Sequence, residues 1–163
     1  MEPHSILLGI DPGIANTGYA CLLCEEGTFR LLDVGVFITK KASTPGRILK
    51  IYNFFQDLIL QYQPTCIVIE KLFFSKNVKT ALTVEEVRGS ILLLSAQQNI
   101  QLVQYTPLQI KKTLTSYGTA SKEEVKMVSE SILNMSLPKS DDACDAVAAA
   151  ICHAYNDDWG DIL

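Results

Sequence analysis

Ser5-Ile6-Leu7-Leu8-Gly9-Ile10-Asp11-Pro12-Gly13 is an apolar run that ends in a carboxylate and a turn. Ser5 to Asp11 has the length of one strand. Pro12 and Gly13 stop it, because Pro lacks a backbone donor and Pro-Gly favours a turn. Cys66-Ile67-Val68-Ile69-Glu70 repeats the arrangement after Pro64: four apolar residues, then an acid. A continuous apolar run of that length reads as a strand covered on both faces. Two carboxylates therefore stand at the carboxyl ends of strands, the edge where open α/β sheets place ligands.

The remaining segments build outward from this pair. Thr17 to Cys24 and Phe29 to Ile38 are strand-like, with Glu25-Glu26-Gly27 as the hairpin loop between them. Thr44-Pro45-Gly46 opens a helix, with Thr44 as N-cap and Ile48, Tyr52, Phe55 and Ile59 as its apolar stripe. Residues 71 to 79 are polar and irregular. A helix then runs to about Asn99, with Val87, Ile91 and Leu94 inward, and Gln101 to Tyr105 is a further strand. Ser121 to Glu124 has capping-box spacing ahead of Val125, Val128 and Ile132. A last helix begins near Ser140 and carries Ala146, Val147, Ala150 and Ile151. The order βββαβαβαα predicts an α/β fold: a mixed five-stranded sheet, three antiparallel strands then two parallel, with helices on both faces. Residues 1–155 form one expected domain and 156–163 a tail, in which Trp159 and Leu163 are candidate contacts.

The chain has 163 residues, 48% hydrophobic and 20% charged, a composition that fits one globular domain. It contains no apolar run of the ~20 residues that a membrane helix needs, and no secretory signal pattern at its start. The expected location is the cytoplasm. The five cysteines are odd in number and scattered, against a disulfide framework. Cys21 and Cys24 have C-x-x-C spacing but no second pair to complete a zinc site.

The net charge of −4 is unevenly spread. Residues 71–139 carry nine Lys or Arg against five Asp or Glu, net +4, whereas residues 140–163 carry six acids and no base. A phosphate-binding face is compatible with that distribution.

Asp142 and Asp145 are three apart on the last expected helix and so share one face. Taken singly, Asp11-Pro-Gly is ordinary turn chemistry, and Asp141, Asp142 and Asp145 are ordinary acids of a helix's first turns. Together Asp11, Glu70, Asp142 and Asp145 make four carboxylates that repel one another unless protonated or neutralised by a cation. Carboxylate oxygens select hard cations, Mg²⁺ or Mn²⁺, and a pair of such ions is suited to phosphodiester hydrolysis.

GIDPGIANTGYA (9–20), PGRILKIY (45–52), IVIEKLFFSKN (67–77), LTVEEVRG (82–89), QYTPLQIKKTL (104–114), YGTASKEEV (117–125) and DACDAVAAAICHA (142–154) together resemble the RuvC family. These are bacterial Holliday-junction endonucleases within the ribonuclease H-like superfamily. The resemblance implies a catalytic, metal-binding tetrad at Asp11, Glu70, Asp142 and Asp145, with two Mg²⁺ per site and Mn²⁺ as a substitute. Asp141 is off the family's D-A-x-D-A register. The resemblance implies base stacking by Phe73 and DNA contacts by Lys111 and Lys122; Lys76 and Asn77 follow Phe73 on the same expected loop and are candidates for phosphate contacts. Lys112 is expected to face elsewhere. Arg47, Lys79, Arg88 and Lys126 are weaker candidates for DNA backbone contacts, and His153 reads as packing or as a helix-end cation. The resemblance further implies a homodimer that nicks four-way junction DNA symmetrically in recombination and repair, with RuvA and RuvB as partners; the helix at about Thr80–Asn99, rich in apolar and small residues, is the candidate interface. The same carboxylate logic serves a nuclease acting on structured RNA. An actin-like phosphate-loop ATPase needs two such domains, for which 163 residues leave no room.

Overall fold

The computed structural model describes residues 4–25, 27–71, 78–156 and 161–162; the side chains of 4, 78–80, 161 and 162 fall outside that description. Strands β1 (His4–Asp11), β2 (Asn16–Glu25) and β3 (Thr28–Ile38) form an antiparallel meander. Gly27, at φ +79°, supplies the left-handed residue of the β2–β3 turn. Helix α1 (Thr44–Tyr62) leads to β4 (Cys66–Glu70), which pairs parallel to β1. Helix α2 (Val78–Gln98) leads to β5 (Gln101–Tyr105), parallel to β4. Helices α3 (Pro107–Thr115), α4 (Lys122–Leu133) and α5 (Asp141–Tyr155) follow. The expected five strands are present in the expected arrangement. A two-residue strand β6 (Asp161–Ile162) adds to them, antiparallel to β5, so the sheet order is β3-β2-β1-β4-β5-β6. The C-terminal tail thus returns to the sheet edge; Trp159 and Leu163 lie outside the described residues.

Two cores flank the sheet, and the period-two alternation of the strands sorts residues between them. Leu8, Ile10, Ile67, Ile69 and Leu102 face α1 and α2, where Ile51, Phe55, Val87, Ile91 and Leu94 complete one core. Leu7, Val68, Val103 and Tyr105 face α5, where Ala146, Val147, Ala150 and Ile151 complete the other. Cys21 and Cys24 fall in different cores, on opposite faces of β2, so they cannot share one ion. All five cysteines are buried.

Three readings change. The N-cap of α1 is Ser43, not Thr44; Pro45 still lies in the first turn. Within α1, Ile51 and Leu58 are buried while Ile48 and Tyr52 are only half-buried, so the stripe turns slightly from the expected line. Helix α3 was absent from the expected order. Its signal lay in Thr106-Pro107-Leu108-Gln109: the Thr106 hydroxyl accepts from the Gln109 N–H at 3.1 Å, and Gln109 Oε1 accepts from the Thr106 N–H at 2.7 Å. Ser121 and Glu124 form the same box at the start of α4.

Candidate active site

The alternation that sorts the cores also aims the acids. Leu7 and Val68 face α5, so Asp11 and Glu70, at even spacing along the same strands, face α5 as well. Ile10 of β1 and Ile69 of β4 are ladder partners, which sets Asp11 and Glu70 side by side at the sheet's carboxyl edge. Helix α5 lies almost directly on the strand backbones. A Cβ built on Gly18, the ladder partner of Asp11, would stand 1.9 Å from the Asp142 carbonyl oxygen. One built on Gly9 would stand 2.1 Å from the Ala146 carbonyl oxygen. Two glycines below and an alanine-rich face above therefore bring the first turns of α5 to the strand ends. Sequence reasoning noted the alanines and missed the glycines.

The charges register this proximity. Burial, reinforced by Asp145, Glu70 and Asp142, pushes the Asp11 carboxyl up to about 8 from 3.8. Burial and Asp145 push Glu70 up to about 7 from 4.5, against the pull of Lys122 and Lys111. Burial and Asp145 also raise Asp142. Asp141, one residue before Asp142, is exposed.

Lysine supplies the counter-charge. Lys122 Nζ donates to Asp145 Oδ2 at 2.6 Å. Burial lowers the Lys122 ammonium, but the hydrogen bond and charge of Asp145 outweigh it, with a net rise. Lys111 and Lys122 join Glu70 and Asp145 in a cleft of about 200 Å³, closed on its apolar side by Pro107, Ile110, Val125 and Ala148. Lys112 lies instead beside Tyr105, Gln109, Thr113 and Asn156.

Other candidates have different settings. Phe73, Lys76 and Asn77 lie outside the described residues, as does the Lys79 side chain. Arg47 donates from Nε to the Thr39 hydroxyl at 2.7 Å, and Lys126 Nζ donates to the Pro138 carbonyl at 2.9 Å. Arg88, taken from sequence as a possible phosphate contact, is corrected: it is 7% exposed and engaged inside the fold, because α2 turns this position toward the sheet. His153 is buried, with Nδ1 2.9 Å from the Tyr105 hydroxyl, so it packs.

Among the described residues no three His, Cys, Asp or Glu side chains are closed into a metal cage as they stand, Asp145 being held by Lys122. The donor set fits a hard divalent cation nonetheless. It is entirely carboxylate, half-buried and mutually repelling, which is the condition that a cation relieves. Lys122→Gln removes the counter-charge without touching a carboxylate. The expected result is a fall in cleavage of ~10- to 100-fold, with stability changed by under ~1 kcal/mol because the ammonium is largely exposed. Single-turnover cleavage and a melting curve check both.

A mixed sheet with acids at the ends of β1 and β4, and a helix bringing two more across it, defines a nuclease of the ribonuclease H-like class. The family model described as "Crossover junction endodeoxyribonuclease RuvC" matches residues 7–153. The chain belongs to that family. It is 41% identical over 160 residues to a crossover junction endodeoxyribonuclease RuvC of Alkaliphilus oremlandii, covering 97% of this chain and 98% of that one. It is 46% identical over 150 residues to a protein of the same description from Roseiflexus, covering 91% and 89%. Among solved structures, Thermus thermophilus RuvC in complex with a Holliday junction substrate superposes with a TM-score of 0.92 at 27% identity, covering 98% of this chain and all of that one. Members of the family hydrolyse phosphodiester bonds and depend on metal.

Proposed function

We propose that this chain resolves four-way DNA junctions by paired, symmetric nicks during recombination and repair, using Asp11, Glu70, Asp142 and Asp145 as its metal ligands. The supporting observation is the meeting of these four acids, from two adjacent strand ends and one helix, beside Lys111 and Lys122. Those carboxylates would hold Mg²⁺ (two ions, with Mn²⁺ able to substitute), which would supply water activation and charge neutralisation at the leaving oxygen.

The chain's own residues do the rest. Lys111 and Lys122 attract the scissile phosphate into the cleft as point charges. Lys122, paired with Asp145 at 2.6 Å, would offer its ammonium to a phosphate oxygen when DNA enters. Pro107, Ile110 and Val125 limit water on the cleft's apolar side. Phe73 stacks on an unpaired base, a contribution of ~1–3 kcal/mol, a role that rests on the family resemblance; Lys76, Asn77 and Lys79 are candidates for contacts to the DNA backbone.

The dimer partner seats on the outer face of α1 and α2. An apolar groove there is lined by Ile48, Leu49, Tyr52, Ser90 and Leu93. Leu49 and Leu93 remain 59% and 56% exposed. A second copy covers this face and sets two sites with two-fold symmetry on a two-fold substrate. RuvA and RuvB are further partners by family resemblance. No helix among the described residues is long and apolar enough to cross a membrane, and a cytoplasmic location follows from the DNA substrate.

A synthetic four-way junction and a matched linear duplex, each with Mg²⁺ or EDTA, test the reading. The expected product is a pair of symmetric nicks in the junction alone, lost in EDTA. Leu93→Glu should yield a monomer by light scattering that loses the pairing of nicks. Junction binding without any cutting in Mg²⁺ or Mn²⁺ would refute the enzyme reading, and cleavage of structured RNA instead would redirect the substrate.

A further inference from the structure

Arg88 is a buried cation with specific partners on the far side of the sheet from the acids. It projects from α2 into the core that α2 shares with Ile69 and Leu102. One terminal nitrogen, Nη1, donates to the backbone carbonyl of Glu70 at 3.0 Å. The other, Nη2, donates to Gln104 Oε1 at 2.5 Å, and Gln104 is itself buried on β5. Nε lies 3.1 Å from Glu85 Oε1 one turn back on α2, close enough to pair but not aligned as a hydrogen bond.

These contacts fall where the chain leaves the sheet. Glu70 is the last residue of β4, and Lys71 N–H donates to the Tyr105 carbonyl at 2.7 Å just beyond it. The final peptide of β4 is thus held from both sides, by β5 through the ladder and by α2 through a guanidinium. Two nitrogens of one rigid fork fix the Glu70 carbonyl relative to Gln104, which a flexible ammonium cannot reproduce.

We propose that Arg88 is a positioning residue for Glu70: it fixes the last peptide of β4, and through it the direction of the Glu70 carboxylate toward the metal. Arg88 lies between Glu86 and Ser90, which line the outer groove of α2. The same helix therefore carries the proposed dimer face on its outer side and, on the side turned to the sheet, the support of Glu70. The inference rests on the reading of Glu70 as a metal ligand. Supporting partners of metal ligands typically contribute ~10- to 100-fold in metal affinity or activity.

The experiment titrates Mn²⁺ into DNA-free protein by calorimetry at 20 °C, well below melting, for wild type, Arg88→Lys, Arg88→Met and Glu70→Gln. Junction binding in EDTA and single-turnover cleavage are measured on the same samples. The expected result is Mn²⁺ affinity lower by ~10-fold or more in both Arg88 variants, with junction binding unchanged and the cleavage rate falling in step. Arg88→Lys keeps the buried charge and serves alone if Arg88→Met does not fold. A lowered melting temperature with wild-type Mn²⁺ affinity would mean that Arg88 is merely structural and would overturn the proposal. Wild-type Mn²⁺ affinity in Glu70→Gln would instead overturn the reading of Glu70, and the role of Arg88 with it.

Discussion

Asp11→Asn is expected to abolish junction cleavage, by ~10³-fold or more, and yet to make the metal-free protein more stable at pH 8. The two effects share one cause. Asp11 is buried among Asp145, Glu70 and Asp142, and its carboxyl titrates at about 8 in place of 3.8. A carboxyl whose folded value lies above its unfolded value binds its proton more tightly in the folded state. Its stabilising contribution is complete below pH ~4 and is lost as pH rises through about 8. Glu70 adds the same tendency between 4.5 and about 7. In EDTA the melting temperature should therefore fall as pH rises from 5 to 8, with its steepest loss below 7, where both groups differ. Asn keeps the shape and removes the charge. After allowance for relaxation of the site, a gain of ~2 kcal/mol at pH 8 corresponds to ~4–8 °C for a chain of this size.

Mg²⁺ should invert the picture. Neutralised carboxylates no longer repel, so the wild type gains stability with metal and Asp11→Asn gains less. Melting curves at pH 5, 6, 7 and 8, with Mg²⁺ and with EDTA, read all of this. A wild type whose metal-free melting temperature rises steadily to pH 8 would remove the case for a crowded, half-dry carboxylate cluster. Retained junction binding by Asp11→Asn would separate lost chemistry from lost recognition.

Gly18→Ala is the second large effect. A single methyl there has no room: its carbon would lie 1.9 Å from the Asp142 carbonyl oxygen and 2.3 Å from the carbonyl carbon. These are backbone atoms of α5, so no side-chain rotation relieves the contact; the helix must move away from β2. The expected cost is ~3 kcal/mol or more, a fall in melting temperature of ~6–12 °C. The shift moves Asp142 and Asp145 together, because both ride on the same helix. Cleavage should fall by ~100-fold or more, since misplacing reacting groups by about 1 Å has that effect. Gly9→Ala, against the Ala146 carbonyl at 2.1 Å, should behave alike. Gly89→Ala on α2 meets nothing within 4 Å in its own chain and is the control for an added methyl in the fold, expected not to lower the melting temperature. Equal melting temperatures for Gly18→Ala and the wild type would show that α5 does not depend on this close approach.

Much of the molecule is legible in local patterns. The strands carrying Asp11 and Glu70 are continuous apolar runs stopped by an acid, a signature that burial on both faces imposes on composition. The capping box at Ser121 and Glu124 is visible because its two hydrogen bonds are made within four residues. The box at Thr106 and Gln109 obeys the same local rule and opens α3. The pairing of Asp142 with Asp145 follows from helical spacing alone. Family motifs spread along nearly the whole chain supply the class of chemistry.

Contacts between distant residues are another matter. Gly9 and Gly18 look like ordinary strand glycines until α5 is laid over them. Their meaning depends on which helix packs there and how closely, a quantity with no local trace. Arg88 reads as one more surface cation in a basic stretch, because nothing near it in sequence shows that its helix turns it toward Glu70 and Gln104. Lys122 and Asp145 are 23 residues apart, and only the packing of α4 on α5 makes them an ion pair at 2.6 Å. The sequence by itself determined the order of the five expected strands and of the helices other than α3, and it marked the candidate acids and the class of cation that carboxylates favour, since these follow from side-chain chemistry and short-range periodicity. Only the tertiary structure decided how near the acids stand and which cations serve them, because proximity across a sheet is set by packing among elements far apart in the chain.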